Sequence, residues 1–181
     1  MKKLLVFLSL VLLLTGCSAS EAKFVGSRDT EDFHYDIETY ETETHLMNDS
    51  SLVIQGLAGK PEEVTENFNG EILYASKIPV TVNEVLKGET NSKTIFVLQT
   101  GKPNSDKYET KLDEKKEYIL FLNPKSFNGE TVYDCTGIEQ GIVEIKENGE
   151  MYSFADFGVA KTFDGKSVGS LKQQIEQVLT K

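Results

Sequence analysis

Cys17 is the residue in this chain whose neighbours most narrowly define a chemistry. It closes the tetrad Leu14-Thr15-Gly16-Cys17, which ends an apolar run from Leu4 to Leu14 broken only by Ser9. Lys2 and Lys3 stand in front of that run. The run falls well short of the roughly 20 apolar residues a helix needs to cross a bilayer. A short apolar core behind positive charge and ahead of small residues reads as a signal peptide. Thr15 and Gly16 are small enough to give a peptidase access to the bond before Cys17. The residues by themselves also fit an ordinary secretory signal or an uncleaved hydrophobic N-terminus.

Leu14-Thr15-Gly16-Cys17 resembles the lipobox of bacterial lipoproteins, the four residues read by their processing peptidase. That resemblance implies an order of events. The Cys17 sulfur first receives a diacylglyceryl group. Cleavage then makes Cys17 the first mature residue, with its amino group open to a further acyl chain. Each buried CH₂ contributes about 0.8 kcal/mol, and two chains anchor stably where one is marginal. The resemblance therefore implies a protein held by lipid at the cell membrane, on its extracytoplasmic face. A Gram-positive-type envelope is the expected setting, and a Gram-negative membrane is the alternative.

The remaining reactive residues do not assemble a reaction. Nucleophilic catalysis needs a nucleophile beside a base and an orienting group. His34 and His45 are the available imidazoles, and both lie in the acidic front of the chain. There is no phosphate loop or dinucleotide fingerprint. His34-x-Asp36 would hold a metal weakly, because zinc wants three or four ligands converging on a rigid frame. The run Asp29, Glu31, Asp32, Asp36 lacks the spacing and glycine of a calcium loop. Among 29 acidic residues, no carboxylate pair stands out for glycoside cleavage. The expectation is no catalytic residue, no metal, no cofactor and no enzyme. With Cys17 lipidated through sulfur, no intramolecular disulfide can form, and Cys135 is a single thiol outside the cytoplasm. It is expected to serve as a small buried hydrophobe rather than a reactive group. The core must hold without staples.

Charge narrows the partners. The whole chain carries 19 basic and 29 acidic residues, a formal net charge of −10. Lys2 and Lys3 leave with the signal, and most of the excess acid lies in residues 18–71. An acidic front is repelled by an anionic membrane surface, and nucleic-acid binding requires a basic footprint that is missing. Residues 1–16 are read as the signal, 17–37 as an acidic flexible tether, and 38–181 as one folded domain. The partner is the membrane, through the lipid; an envelope protein or small ligand is unidentified, and nucleic acid is not expected.

The domain reads as a run of strands closed by a helix. Glu38 to Ser50 suits a short helix ending near Asn48-Asp49, although Thr39, Thr42 and Thr44 weaken it. Leu52, Val53 and Ile54 before Gly56 predict a first strand that resumes past Lys60-Pro61. Asn69-Gly70 predicts a turn. Ile78, Val80 and Val82 alternate with polar residues, and Val85 breaks phase as a bulge near Asn83-Glu84 would. Pro79 predicts an edge or a strand start there. Thr94 to Gln99 predicts a third strand. Gly101 to Glu117, with five lysines and interleaved acids, predicts an exposed loop. Tyr118 to Leu122 is the most apolar run after the signal and predicts a central strand stopped by Asn123-Pro124. Asn128-Gly129 predicts a turn into a strand over Thr131 to Cys135. Asn148-Gly149 predicts a two-residue type I′ hairpin that places Glu147 opposite Glu150, Ile145 opposite Tyr152, and Val143 opposite Phe154. Ser170 and Gln173 fit a capping box for a helix with Leu171, Ile175, Val178 and Leu179 on one stripe.

Three segments in order carry a second resemblance: Ser51 to Gly56, Val80 to Gly88, and Leu112 through Tyr118 to Leu122. The succession is similar to the OB-fold-type domains related to the tissue inhibitors of metalloproteinases. It implies a mainly β fold, a small five- to six-stranded OB-like Greek-key barrel with a C-terminal amphipathic helix. The inhibitors' activity does not carry over, because they present a free N-terminal cysteine held by disulfides, whereas Cys17 is expected to be lipidated on a tether. Tyr74, Tyr108, Tyr118, Tyr133 and Tyr152 suit either a ligand face on such a barrel or its core. The expected function is a non-catalytic binding or interaction module of the envelope. The alternative is an inhibitor or immunity-type protein acting on a protease or toxin at the membrane surface.

Overall fold

The computed structural model describes residues 38–68, 70–104 and 112–180. The expected signal and tether, Asn69, and residues 105–111 of the lysine-rich loop lie outside the described residues. The first element is helix α1 (Glu43–Asp49), whose N-cap Thr42 accepts a bond from the His45 N–H at 3.1 Å. A threonine that lowers propensity inside a helix thus satisfies a free donor at its start. Strands β1 (Leu52–Ala58), β2 (Glu62–Phe68), β3 (Glu71–Lys87), β4 (Thr94–Thr100), β5 (Glu117–Phe127), β6 (Glu130–Cys135), β7 (Ile142–Ile145) and β8 (Met151–Ser153) follow, and helix α2 (Val168–Leu179) ends the chain's described part. Short 3₁₀ turns occupy Ile138–Gly141 and Gly158–Thr162.

Five of these strands close a ring. β1 pairs with β3 and β3 with β4, β4 meets β6 in parallel at Val97 and Tyr133, β6 pairs with β5, and β5 returns to β1. Chain neighbours β4 and β5 are not spatial neighbours, which gives the Greek-key path of an OB-like barrel. The fold is mainly β and barrel-like with a C-terminal helix, as the sequence indicated. Three further strands lie outside the ring: β2 extends β3, and β7 and β8 extend β5.

The apolar run Tyr118 to Leu122 is continuous because β5 is buried on both faces. Tyr118, Leu120 and Leu122 point into the ring with Ile54, Ile78, Val80 and Val97. Ile119 and Phe121 point outward, with Val53 and Val143, against a cover made by Tyr40, Leu46 and Met47, Phe163, and Leu171 and Ile175 of α2. Period-two alternation therefore feeds two cores from one strand.

The bulge near Asn83-Glu84 is present: the register steps from Gln55 opposite Glu84 to Gly56 opposite Val82, and a second step lies between Val53 and Ile54. The first strand does resume past Pro61, with β1 and β2 lying end to end along the same side of β3.

Other expectations are corrected. Pro79 is neither an edge residue nor a strand start; it lies inside β3 opposite Phe96. The Gly59 N–H donates to the Pro79 carbonyl at 2.7 Å. Carbonyl and nitrogen of one strand residue point the same way, so the missing N–H faces the connector between β1 and β2, where no ladder runs. Pro124 likewise does not stop β5. The Phe121 carbonyl accepts from the Thr136 N–H, so odd-numbered residues aim their backbone at β6. The nitrogen of Pro124 aims at the other edge, which β1 has left after pairing Leu52 with Leu122.

The Asn-Gly pairs at 128–129 and 148–149 make different turns. Asn128 and Gly129 both have positive φ, 49° and 80°, and join Phe127 directly to Glu130; this is the two-residue turn. At Asn148-Gly149 only Gly149 (φ 79°) is left-handed, and Lys146 and Glu150 close a three-residue loop. The pairs are Ile145–Met151 and Val143–Ser153, one residue off the expected register. Met151, buried, takes the inward place expected for Tyr152. In α2 the N-cap is Ser167, whose hydroxyl accepts from the Ser170 N–H at 3.3 Å, so the helix starts before the expected capping box. Leu179 falls off the buried stripe and is exposed.

Candidate functional site

The helix layer does not cover the whole outer face of the sheet. Where α2 begins, an open groove of about 1040 Å³ remains between its first residues, the ends of β1 and β7, and the residues leading into β5. Its floor is one outward-facing row in which Leu57 pairs with Glu117, and Glu117 with Ile145. The Lys115 N–H donates to the Ala58 carbonyl at 2.8 Å, and the Ala58 N–H to the Lys116 carbonyl at 3.0 Å. These two bonds fix the lysines at the rim. Lys115 holds a φ of 68° there, a conformation that costs a non-glycine residue energy.

The groove mixes apolar surface with charged groups that balance, Lys115, Lys116 and Lys146 against Glu117, Glu144 and Glu147. Glu144 is nearly buried and pairs with Lys146 at 2.9 Å and Lys116 at 3.5 Å. Lys116 also contacts Asp113 at 2.6 Å. The hydrogen bond to Asp113 raises the Lys116 ammonium above the ordinary lysine range, burial opposes this, and the charges of Asp113 and Glu144 reinforce it. The Glu117 carboxylate accepts from Gln55 Nε2 at 3.0 Å and Asn83 Nδ2 at 2.7 Å. Gln55 Oε1 is buried without a donor among the described residues. An unmet buried acceptor costs roughly 1–3 kcal/mol, and a hydroxyl or N–H brought by a ligand would satisfy it. Lys146 also lies over the Tyr152 ring at 4.6 Å. The carboxylates here are tied to lysines and amides, an arrangement that suits recognition of a polar, hydroxyl-bearing or zwitterionic group.

Tyr118 lies just inside the ring, and its hydroxyl accepts from the Asp113 N–H at 3.0 Å. Burial pushes its phenol up to about 12, helped by the charges of Asp113 and Glu144 and opposed by that hydrogen bond. Tyr40 is also pushed up to about 12, by burial and then by Glu38 and Asp49. The folded state therefore holds both protons more tightly than the unfolded chain, in which tyrosine ionises near its ordinary value of about 10. Stability from these groups is complete below pH 10 and is lost as pH rises from about 10 through 12. An ultraviolet titration of tyrosinate should show two phenols ionising about two units late and together with unfolding; a Tyr118→Phe variant should show one.

The sequence-predicted residues are placed as follows. Leu14, Thr15, Gly16 and Cys17 lie outside the described residues, as do His34, Asp29, Glu31, Asp32, Asp36 and Tyr108. His45 is exposed on α1. Cys135 is half-buried opposite Leu122 and packs against the inner core, less buried than the sequence led one to expect. The tyrosines form no common face: Tyr118 is core, Tyr152 is exposed edge-on to Phe154, and Tyr74 lies beneath Lys102. The sequence reading did not single out Gln55 or Glu144. Glu144 left a signal, a charge between Val143 and Ile145 in a strand whose neighbouring strand is buried on both faces.

Residues 1–18 match the family model of the prokaryotic membrane lipoprotein lipid attachment site. A comparison with curated proteins finds no match to the chain. No helix among the described residues is long and apolar enough to cross a membrane. The N-terminus thus carries the signature of a lipid-anchored membrane lipoprotein, joined to a mainly β, barrel-like domain.

Proposed function

We propose that this lipoprotein is a non-catalytic binding module of the cell envelope, lipidated on Cys17 and displayed on the extracytoplasmic face. The observation that carries the reading is the match of residues 1–18 to the lipid attachment site, whose cysteine in this chain is Cys17. The acidic segment 17–37 then spaces the barrel from the lipid surface. The groove at the start of α2 is the binding surface in this reading. Its support is the unmet acceptor of Gln55 together with lysines and carboxylates that hold one another in place. Such a surface binds by complementary hydrogen bonds and needs no reacting group.

A second reading has the same barrel blocking a protease or toxin at the membrane, as its resemblance to the metalloproteinase-inhibitor domains suggests. The β2–β3 hairpin favours it: the hairpin projects from the ring and carries Ile72 at 59% exposure. Shortening the hairpin would abolish that activity and leave groove binding intact.

Intact mass of the protein extracted from its native membrane tests the anchor. The expected species starts at Cys17 with a diacylglyceryl adduct, and Cys17→Ala should lose the adduct and release the chain from the membrane. An unmodified secreted chain would overturn the reading and return Cys17 to play as a free terminal thiol.

A further inference from the structure

We propose that Glu38, His45 and Asp49 form a binding site for one transition-metal dication of the zinc class. A carboxylate oxygen of Glu38, an imidazole nitrogen of His45 and a carboxylate oxygen of Asp49 all lie within 4.8 Å of one another, at the surface. His45 and Asp49 are four residues apart on α1, so they share a helix face, and Nε2 stands 3.3 Å from Oδ2. One nitrogen and two oxygens with an open fourth position make a donor set that zinc accepts, and imidazole selects such ions over calcium and magnesium. Among the described residues, no lysine or arginine pairs with Glu38 or Asp49. Two carboxylates therefore converge with only an imidazole and a phenol between them. The Tyr40 hydroxyl lies 3.5 Å from Glu38, and its ring meets the His45 ring edge-on at 4.9 Å.

The frame beneath the cluster is fixed, which is what isolated sequence spacing could not show. α1 is capped by Thr42 at one end. At the other end the Lys87 ammonium binds the carbonyls of Met47 and Ser50. Glu38 is held from the other side, because its carbonyl accepts from the buried Gln140 amide at 2.8 Å. A bound ion would clasp the segment that follows the tether onto the first helix of the domain, and so set how the barrel hangs from its anchor.

Calorimetric titration of the full-length chain in detergent with Zn²⁺, beside Ca²⁺ and Mg²⁺, tests this. The expected result is one zinc per chain, bound more tightly than calcium or magnesium, with a rise in Tm on saturation. His45→Ala should weaken zinc by about tenfold or more, since it removes the one nitrogen ligand. It should lower the metal-free Tm only slightly, because the half-exposed side chain loses the edge-on contact with Tyr40 and the pairing with Asp49. Asp49→Asn should weaken binding too, as a second variant independent of the imidazole. No saturable zinc binding would overturn the assignment. So would calcium bound as tightly as zinc, or zinc binding undiminished in His45→Ala, which would belong to other ligands such as His34 or Cys135.

Discussion

Replacing Phe121 with alanine is expected to lower the free energy of unfolding by about 3–5 kcal/mol, the range for deleting a large buried aromatic. Phe121 is fully buried, and its ring meets Phe163 at 5.7 Å. It sits on β5, which pairs with β1 on one side and with β6 and β7 on the other. Its side chain leaves the ring's outer face and is the largest of those the wall sends into the helical cover. Little can collapse into the space it would leave, because the ladder fixes the wall and α1 and α2 meet there from the far side. Domains of this size are stable by about 5–15 kcal/mol in total, so the variant should unfold at a much lower urea concentration. Tyr152→Ala, at an exposed site on β8 where the ring meets only Phe154 and Lys146, is the comparison and should cost about 1 kcal/mol. Equal losses in the two variants would mean that the outer cluster does not hold the helices to the barrel.

Local chemistry and local pattern were readable in the chain, and what depended on a distant partner was not. Tyr118 to Leu122 announced a central strand because burial on both faces leaves no polar alternation. The phase break at Val85 announced a bulge because a side chain must change faces there. Pro79 and Pro124 misled for one shared reason. A proline is harmful only if its nitrogen faces a ladder, and which way it faces depends on where the neighbouring strand ends. Asn148-Gly149 misled because the dipeptide serves two turns. The choice between them is made by which residues of β8 must be buried, and Met151 rather than Tyr152 meets the outer core. α2 starts earlier than expected because Ser167 supplies the cap, and Gly169, a poor helix residue in the first turn, concealed that start. The groove could not be read from the chain at all. It exists because the helical cover stops short of Glu117 and Leu57, a matter of where α2 begins in space. The Glu38, His45 and Asp49 cluster was half legible. The His45-x-x-x-Asp49 spacing is a one-face pair on any helix, but the weak helix signal over Glu38 to Ser50 concealed it, and the backbone of Glu38 is held by the distant Gln140.

Gln140 is the residue whose loss should change the junction between tether and domain most, and Gln140→Leu is expected to cost about 2–4 kcal/mol by leaving buried backbone groups unpaired. Its side chain is fully buried. Oε1 accepts from the Tyr40 N–H at 3.0 Å, and Nε2 donates to the Glu38 carbonyl at 2.8 Å. One amide thus serves as a two-sided backbone partner for residues 100 or so positions earlier in the chain, doing what a strand neighbour would do. Leucine nearly matches its volume, so the cost comes from unmet hydrogen bonds and not from a cavity. The packing around it is tight: a Cβ on Gly158, whose φ is 59°, would lie 2.4 Å from Gln140 Oε1. The Val159 N–H binds the Tyr40 carbonyl at 2.6 Å, so the segment keeps a second tie when the amide is lost. The expected result is therefore graded. Hydrogen exchange at the Tyr40 amide should accelerate more than global unfolding accounts for, while the amides of β5 should follow global stability alone. A Tyr40 amide as protected as in the native chain would show that Gln140 does not hold this segment. Loss of the clamp should also weaken zinc at Glu38, His45 and Asp49 although none of the three is altered, because Glu38 would no longer be held where the other two donors can meet it.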